Sequence, residues 1–138
     1  LYYGKGSVAD KKEAFRYFQM AADKGDTNSM VGCGDILTKG NGIETNYLIS
    51  RQYYKNAADN GNSDGMRMYA MMLLDRTRIA VNEKEAFRYF QMSADKGDTD
   101  SMTFCGKMLS KGDGIETNYQ MAAQYIKKAA DKGNTNGM

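Results

Sequence analysis

Apolar residues along this chain keep helical spacing, and the spacing restarts at fixed intervals. Between residues 10 and 25, Ala14, Tyr17, Phe18, Ala21 and Ala22 fall at i, i+3, i+4, i+7 and i+8, the stripe of a helix with one buried face. A second stripe, Met30, Cys33, Gly34 and Leu37, stands at 0, 3, 4 and 7. Two amphipathic helices are therefore predicted to alternate, an A helix opening near Thr27 and a B helix opening near Asp10. Strands are nowhere suggested.

Polar residues and glycines mark the ends of these helices. Asp10 with Glu13, and Asn82 with Glu85, have the spacing of a capping box and are predicted to start B helices. Thr27, Ser63 and Thr99 are predicted to cap A helices. Gly25, Gly61, Gly97 and Gly133 lie just past the B stripe, where a left-handed residue closes a helix without a Cβ clash. Gly34, Ala70 and Gly106 share a position on helix A, and residues this small let two helix axes approach closely. The loops KGNGI at 39–43 and KGDGI at 111–115 supply the glycines of the turn between A and B.

The whole pattern repeats. AADKGD at 21–26 returns as AADNGN at 57–62, SADKGD at 93–98 and AADKGN at 129–134, a spacing of 36 each time. Met30, Met66, Met102 and Met138 keep one phase, as do Asp10, Asn46, Asn82 and Asn118. A longer period is superimposed, because residues 12–30 match 84–102 at 17 of 19 positions and GIETNY at 42–47 recurs at 114–119. The unit that duplicated was a pair of repeats. The reading is one segment over 1–138, with a partial repeat at 1–27, full repeats at 28–63, 64–99 and 100–135, and the start of another at 136–138.

With both helices placed, the chain resembles the Sel-one-like repeat, a relative of the tetratricopeptide repeat with a longer turn. Ser29, Cys33, Gly34, Leu37, Gly40, Gly42 and Ile43, then Ser50, Tyr53, Tyr54, Ala57, Ala58 and Gly61, carry that likeness. It implies an all-α fold, a right-handed α-α superhelix of helix-turn-helix repeats with A helices on the concave face. It also implies a scaffold or adaptor that binds a protein or peptide. One repeat departs from the pattern: Arg76 and Arg78 replace the two turn glycines, giving either a reshaped loop or an anionic contact site.

Composition removes several other chemistries. There is no histidine, hence no Ser-His or Cys-His arrangement and no imidazole ligand. No phosphate-cradling Gly-x-x-x-x-Gly-Lys string is present, no cofactor or metal site is read, and the chain is not expected to be an enzyme. Asp23, Asp59, Asp95 and Asp131 recur at one phase and are read as a solvated row. Nineteen Lys and Arg against seventeen Asp and Glu leave a net charge of +2 without a basic stripe, which argues against nucleic acid. The longest apolar run, Tyr69 to Leu74, is far short of the roughly 18 residues a membrane span needs. Cys33 and Cys105 are two repeats apart and are expected to be buried, unpaired thiols, which fits an intracellular, cytoplasmic setting. Some secreted members of the family carry a disulfide in each repeat and are linked to β-lactam binding, and those cysteine pairs are missing here. The methionines at 30, 66, 102 and 138 are read as packing residues. Leu1 in mid-repeat and Met138 at the start of another suggest a segment of a larger complex, and a permanent structural subunit, for example cytoskeletal, is the alternative to a transient adaptor.

Aligning Cys33, Gly34 and Leu37 with the buried positions of a tetratricopeptide A helix leaves the other faces for a partner. The expected binding surface is Val31, Asp35, Thr38 and Lys39 in one repeat, Arg67, Met71, Leu74 and Asp75 in the next, and Thr103, Lys107, Ser110 and Lys111 in the last. Tyr2 and Tyr3 join from the partial repeat. Arg67 and Met71 are its expected anchors, and their replacement by Glu is expected to cost binding without costing stability.

Overall fold

The computed structural model of the chain describes residues 8–40, 43–75 and 81–136. These residues form seven α-helices and no strand: α1 (Val8–Asp23), α2 (Thr27–Lys39), α3 (Tyr47–Asp59), α4 (Ser63–Leu73), α5 (Glu83–Asp95), α6 (Thr99–Lys111) and α7 (Tyr119–Asn136). Helices α2, α4 and α6 are the A helices, and α1, α3, α5 and α7 are the B helices. The fold is an all-α helical repeat.

The chain divides into two compact units, 1–65 and 66–138, with the boundary inside α4. In the first unit α2 packs against both α1 and α3. Cys33, Tyr54 and Ala57 are all but inaccessible there. In the second unit α6 packs against both α5 and α7, and Ala70, Ala86, Phe90 and Cys105 are fully enclosed. The expected close approach of A and B helices is present in both. A Cβ on Gly34 would meet the ring of Tyr54, and a Cβ on Gly106 would meet the side chain of Ile126.

The B helices α1, α3 and α5 end alike. The amide of Gly25 donates to the Ala22 carbonyl and that of Asp26 to the Ala21 carbonyl, at 2.9 and 3.1 Å. Gly61 with Asn62, and Gly97 with Asp98, repeat both bonds. This pair of reversed bonds satisfies the last carbonyls of a helix and requires the glycine to be left-handed. The three glycines have φ between 93° and 101°. Gly133 differs from its expected role: α7 runs through it to Asn136, and its φ is not positive. At 25, 61 and 97 the reversal delivers the chain into an A helix that packs in place, and no described helix follows α7.

Four helix starts, those of the three A helices and of α1, also differ from the expected ones. The A helices are capped one residue earlier than expected, because the serine or threonine at each site is already the first helical residue. The Oδ2 of Asp98 accepts from the Ser101 amide at 2.9 Å, and Asn62 accepts from Gly65. A carboxylate or carboxamide one position upstream reaches the free amide of the third helical residue better than the hydroxyl that follows it. Asp10 lies inside the first turn of α1, where a negative side chain favours the helix dipole. The other B helices follow expectation, with Asn46, Asn82 and Asn118 accepting from the amides of Ile49, Glu85 and Met121.

Both cysteines are buried and unpaired. Burial pushes the Cys33 thiol up to about 11 and the Cys105 thiol up to about 12. Tyr17, expected in the B stripe, is 54% exposed, whereas Tyr89 at the same phase is covered edge-on by Tyr69 of α4. The A segment preceding α1 lies outside the described residues.

Candidate interaction surface

The residues expected to bind a partner divide between the two units. In the first unit, Val31 and Asp35 are half-buried on α2, and Thr38 and Lys39 are exposed near its end. Two of these four are engaged within the unit. Asp35 accepts a 2.5 Å hydrogen bond from the Tyr54 hydroxyl, and Thr38 donates to the Gly34 carbonyl at 2.8 Å and meets the Ser50 hydroxyl at 2.6 Å. Ser50 itself donates to the Gly34 carbonyl at 2.7 Å, so Thr38 and Ser50 both tie α3 to α2. The Tyr54 hydroxyl is held well above its ordinary range, by burial first and by the Asp35 carboxylate second. Asp35 and Thr38 thus brace the A and B helices against each other. Tyr2, Tyr3, Arg76 and Arg78 lie outside the described residues.

In the second unit four of the expected residues converge. Arg67 and Met71 on α4 face Thr103 and Lys107 on α6 across a shallow cleft of about 390 Å³, which Asp100 and Phe104 complete. Leu74 and Asp75 are half-buried beyond the end of α4, and Ser110 and Lys111 are exposed on the last turn of α6. Arg67 and Met71 are one turn apart, and Asp100, Thr103, Phe104 and Lys107 stand at 0, 3, 4 and 7 on α6. That second spacing was available in the sequence and identifies the two residues that sequence reasoning missed.

Local packing fixes the cleft walls. Phe104 stacks on Phe90 of α5 with centroids 4.5 Å apart and an interplanar angle of 13°. Met71 is 41% exposed, unlike its neighbours Ala70 and Met72. Arg67 is not a free anchor. Its Nε lies 3.2 Å from Oδ2 of Asp98, both side chains are largely buried, and the same oxygen accepts from the amide and hydroxyl of Ser101. One carboxylate therefore caps α6 and ties that cap to Arg67 of α4. Lys107 and Lys111 point into solvent one turn apart, and no described carboxylate pairs with either. On the B helices, Lys55 of α3 pairs with Asp59 at 2.7 Å and Lys127 of α7 with Asp131 at 2.9 Å, all four exposed.

The lining of the cleft is mixed. It holds apolar surface, a braced guanidinium, one hydroxyl, one exposed carboxylate and one exposed ammonium. Among the described residues no group of three His, Cys, Asp or Glu side chains could hold a metal ion, and no helix is long and apolar enough to cross a membrane.

Comparison with known proteins agrees with this architecture. A Sel1 repeat protein from Oxalobacter formigenes is 28% identical with a TM-score of 0.81, over 90% of this chain and 51% of that one. The protein c5321, a protective antigen present in uropathogenic Escherichia coli strains and displaying an SLR fold, is 23% identical with a TM-score of 0.80, over 86% of this chain and 26% of that one. Cysteine rich protein B of Helicobacter pylori is 22% identical with a TM-score of 0.71, over 95% and 94%. The last two likenesses show the fold alone. This chain spans about half of the Oxalobacter protein and about a quarter of the Escherichia coli one. No curated protein gives a significant match. The family model for the Sel1 repeat matches four times in succession, at residues 1–26, 27–62, 63–98 and 99–134. The chain belongs to the Sel1 repeat family.

Proposed function

We propose that this chain is a protein-interaction scaffold that binds a protein or peptide partner on its A helices, with the α4–α6 cleft as the principal contact. Sel1 repeat proteins generally serve as scaffolds for protein interaction, and their fold is typically non-catalytic. The observation that carries the reading is Met71. A methionine 41% exposed beside an ion-paired arginine and a stacked phenylalanine is the composition of an interface anchor, where apolar area gains most from being covered. The cleft offers a single carboxylate, Asp100, and the chain has no histidine, so neither a carboxylate pair nor an imidazole is available there.

Affinity capture with the full-length protein tests this reading. Met71→Glu combined with Lys107→Glu is expected to abolish recovery of the partner at unchanged melting temperature. Lys55→Glu combined with Lys127→Glu, at exposed positions on the B helices α3 and α7, is expected to leave recovery intact. The reverse outcome would move the working surface to the B helices.

A further inference from the structure

We propose that the α4–α6 cleft takes an amphipathic helix of the partner. One large apolar side chain would seat against Met71 and Phe104, with carboxylates one and two turns along facing Lys107 and Lys111. This rests on the interaction reading above and adds the chemistry of the partner.

The charges around the cleft are asymmetric. Arg67 is compensated by Asp98 at 3.2 Å, so its charge is already answered inside the unit. Lys107 and Lys111 follow Phe104 by three and seven residues on α6, which places them about 4.5 and 10.5 Å further along the helix axis. Neither has a described carboxylate partner. Asp100 precedes Phe104 by four residues, about 6 Å in the other direction. A partner therefore meets apolar surface in the middle, two uncompensated cations on one side and an anion on the other. Carboxylates are favoured on one side of the apolar anchor only, and this gives the bound segment a direction.

The walls also select the conformation of the partner. Both are helices whose backbone groups are consumed in their own hydrogen bonds, so an extended segment would cover its amides and carbonyls without finding partners. A helix satisfies its own backbone. It also carries side chains at the pitch of α6, which sets the acidic positions at three or four and seven residues from the anchor.

Selection of peptides from a random displayed library against the folded chain is the test, with a synthetic peptide of the selected sequence then titrated by fluorescence anisotropy. The expected sequences carry Leu, Phe or Met followed, in one direction only, by Asp or Glu at three or four and seven residues. Lys107→Glu with Lys111→Glu is expected to weaken that peptide at least tenfold, and a peptide with lysines at the acidic positions is expected to bind the doubly reversed protein. Binding that depends on Met71 but shows no acidic preference would overturn this inference and leave the scaffold reading standing. Selected peptides indifferent to Met71→Glu, or no selected peptide at all, would overturn both.

Discussion

The ring of Tyr54 occupies the space that a side chain on Gly34 would need, with its nearest carbon 2.6 Å from an ideal Cβ at that position. Tyr54 is 1% exposed and its hydroxyl is held by Asp35, so the ring has nowhere to retreat. Gly34→Ala is therefore expected to destabilise the protein by about 1–3 kcal/mol, although alanine is the better helix former. Gly32→Ala is expected to cost less, because its neighbour Phe18 stands at 3.2 Å and is only half-buried. Thermal unfolding of the two variants side by side checks the difference.

Two glycines at the same repeat phase are expected to respond with opposite signs. Gly25 has φ +98° and nothing within 4 Å of its missing Cβ, so Gly25→Ala isolates the cost of the left-handed backbone, about 1–2 kcal/mol. Gly133 is helical and equally open, so Gly133→Ala is expected to be neutral or stabilising by up to about 1 kcal/mol. Equal loss of stability would show that α7 ends where the other B helices do. Gly97→Val belongs with the first group, whereas Asp95→Ala removes an exposed carboxylate and is expected to change stability by less than about 0.5 kcal/mol.

The Asp98 and Arg67 pair changes how the proposed binding surface can be tested. Arg67→Glu would place two carboxylates together at a largely buried helix start, and is expected to destabilise by about 2–4 kcal/mol. Sequence alone suggested that this substitution would spare stability. Loss of binding on Arg67→Glu would therefore be ambiguous, and Met71 with Lys107 is the sound choice. Chemical denaturation of Arg67→Glu beside Met71→Glu separates them, with only the former expected to shift the midpoint.

Stability is expected to fall as pH rises above about 9. Both thiols have folded values raised from an ordinary 9.0, to about 11 at Cys33 and about 12 at Cys105. Between those values the unfolded chain releases thiol protons that the folded chain keeps, so the unfolded state binds fewer protons and unfolding becomes easier with increasing pH. Stability from this source is complete below about 9 and lost as pH climbs through the folded values. The half-buried Tyr53 and the buried Tyr54 and Tyr125, raised in the same direction, add to the decline. Cys33→Ala with Cys105→Ala is expected to flatten part of it in a denaturation series from pH 8 to 11. In the native state, thiol reagents should label neither cysteine quickly.

Particular residues show how far the sequence could be read. The repeat, the burial of Cys33 and Cys105 and the close approach at Gly34 and Gly106 were legible, because each follows from periodicity and side-chain size, which are local properties. The caps were misplaced by one residue because Asp26 and Thr27, like Asp98 and Thr99, are neighbours that can both cap, and only the backbone geometry chooses. Asp35 and Thr38 looked available because helix periodicity gives a face, whereas the hydrogen bond Asp35 accepts from Tyr54 and the contact between the Thr38 and Ser50 hydroxyls depend on how two helices meet. Arg67 and Asp98 are 31 residues apart, and no local pattern links them. Four expected site residues nevertheless line one cleft, and the two that were missed share their helix face.

Hydrogen exchange on the captured complex addresses the central claim most directly, because it reports which helices a partner covers without altering any side chain. Slowed exchange is expected in the α4 segment around Arg67 to Met71 and the α6 segment around Asp100 to Lys107, with α7 unchanged on its exposed flank around Lys127. Protection confined to α3 and α7, with α4 and α6 exchanging as in the free protein, would contradict the account.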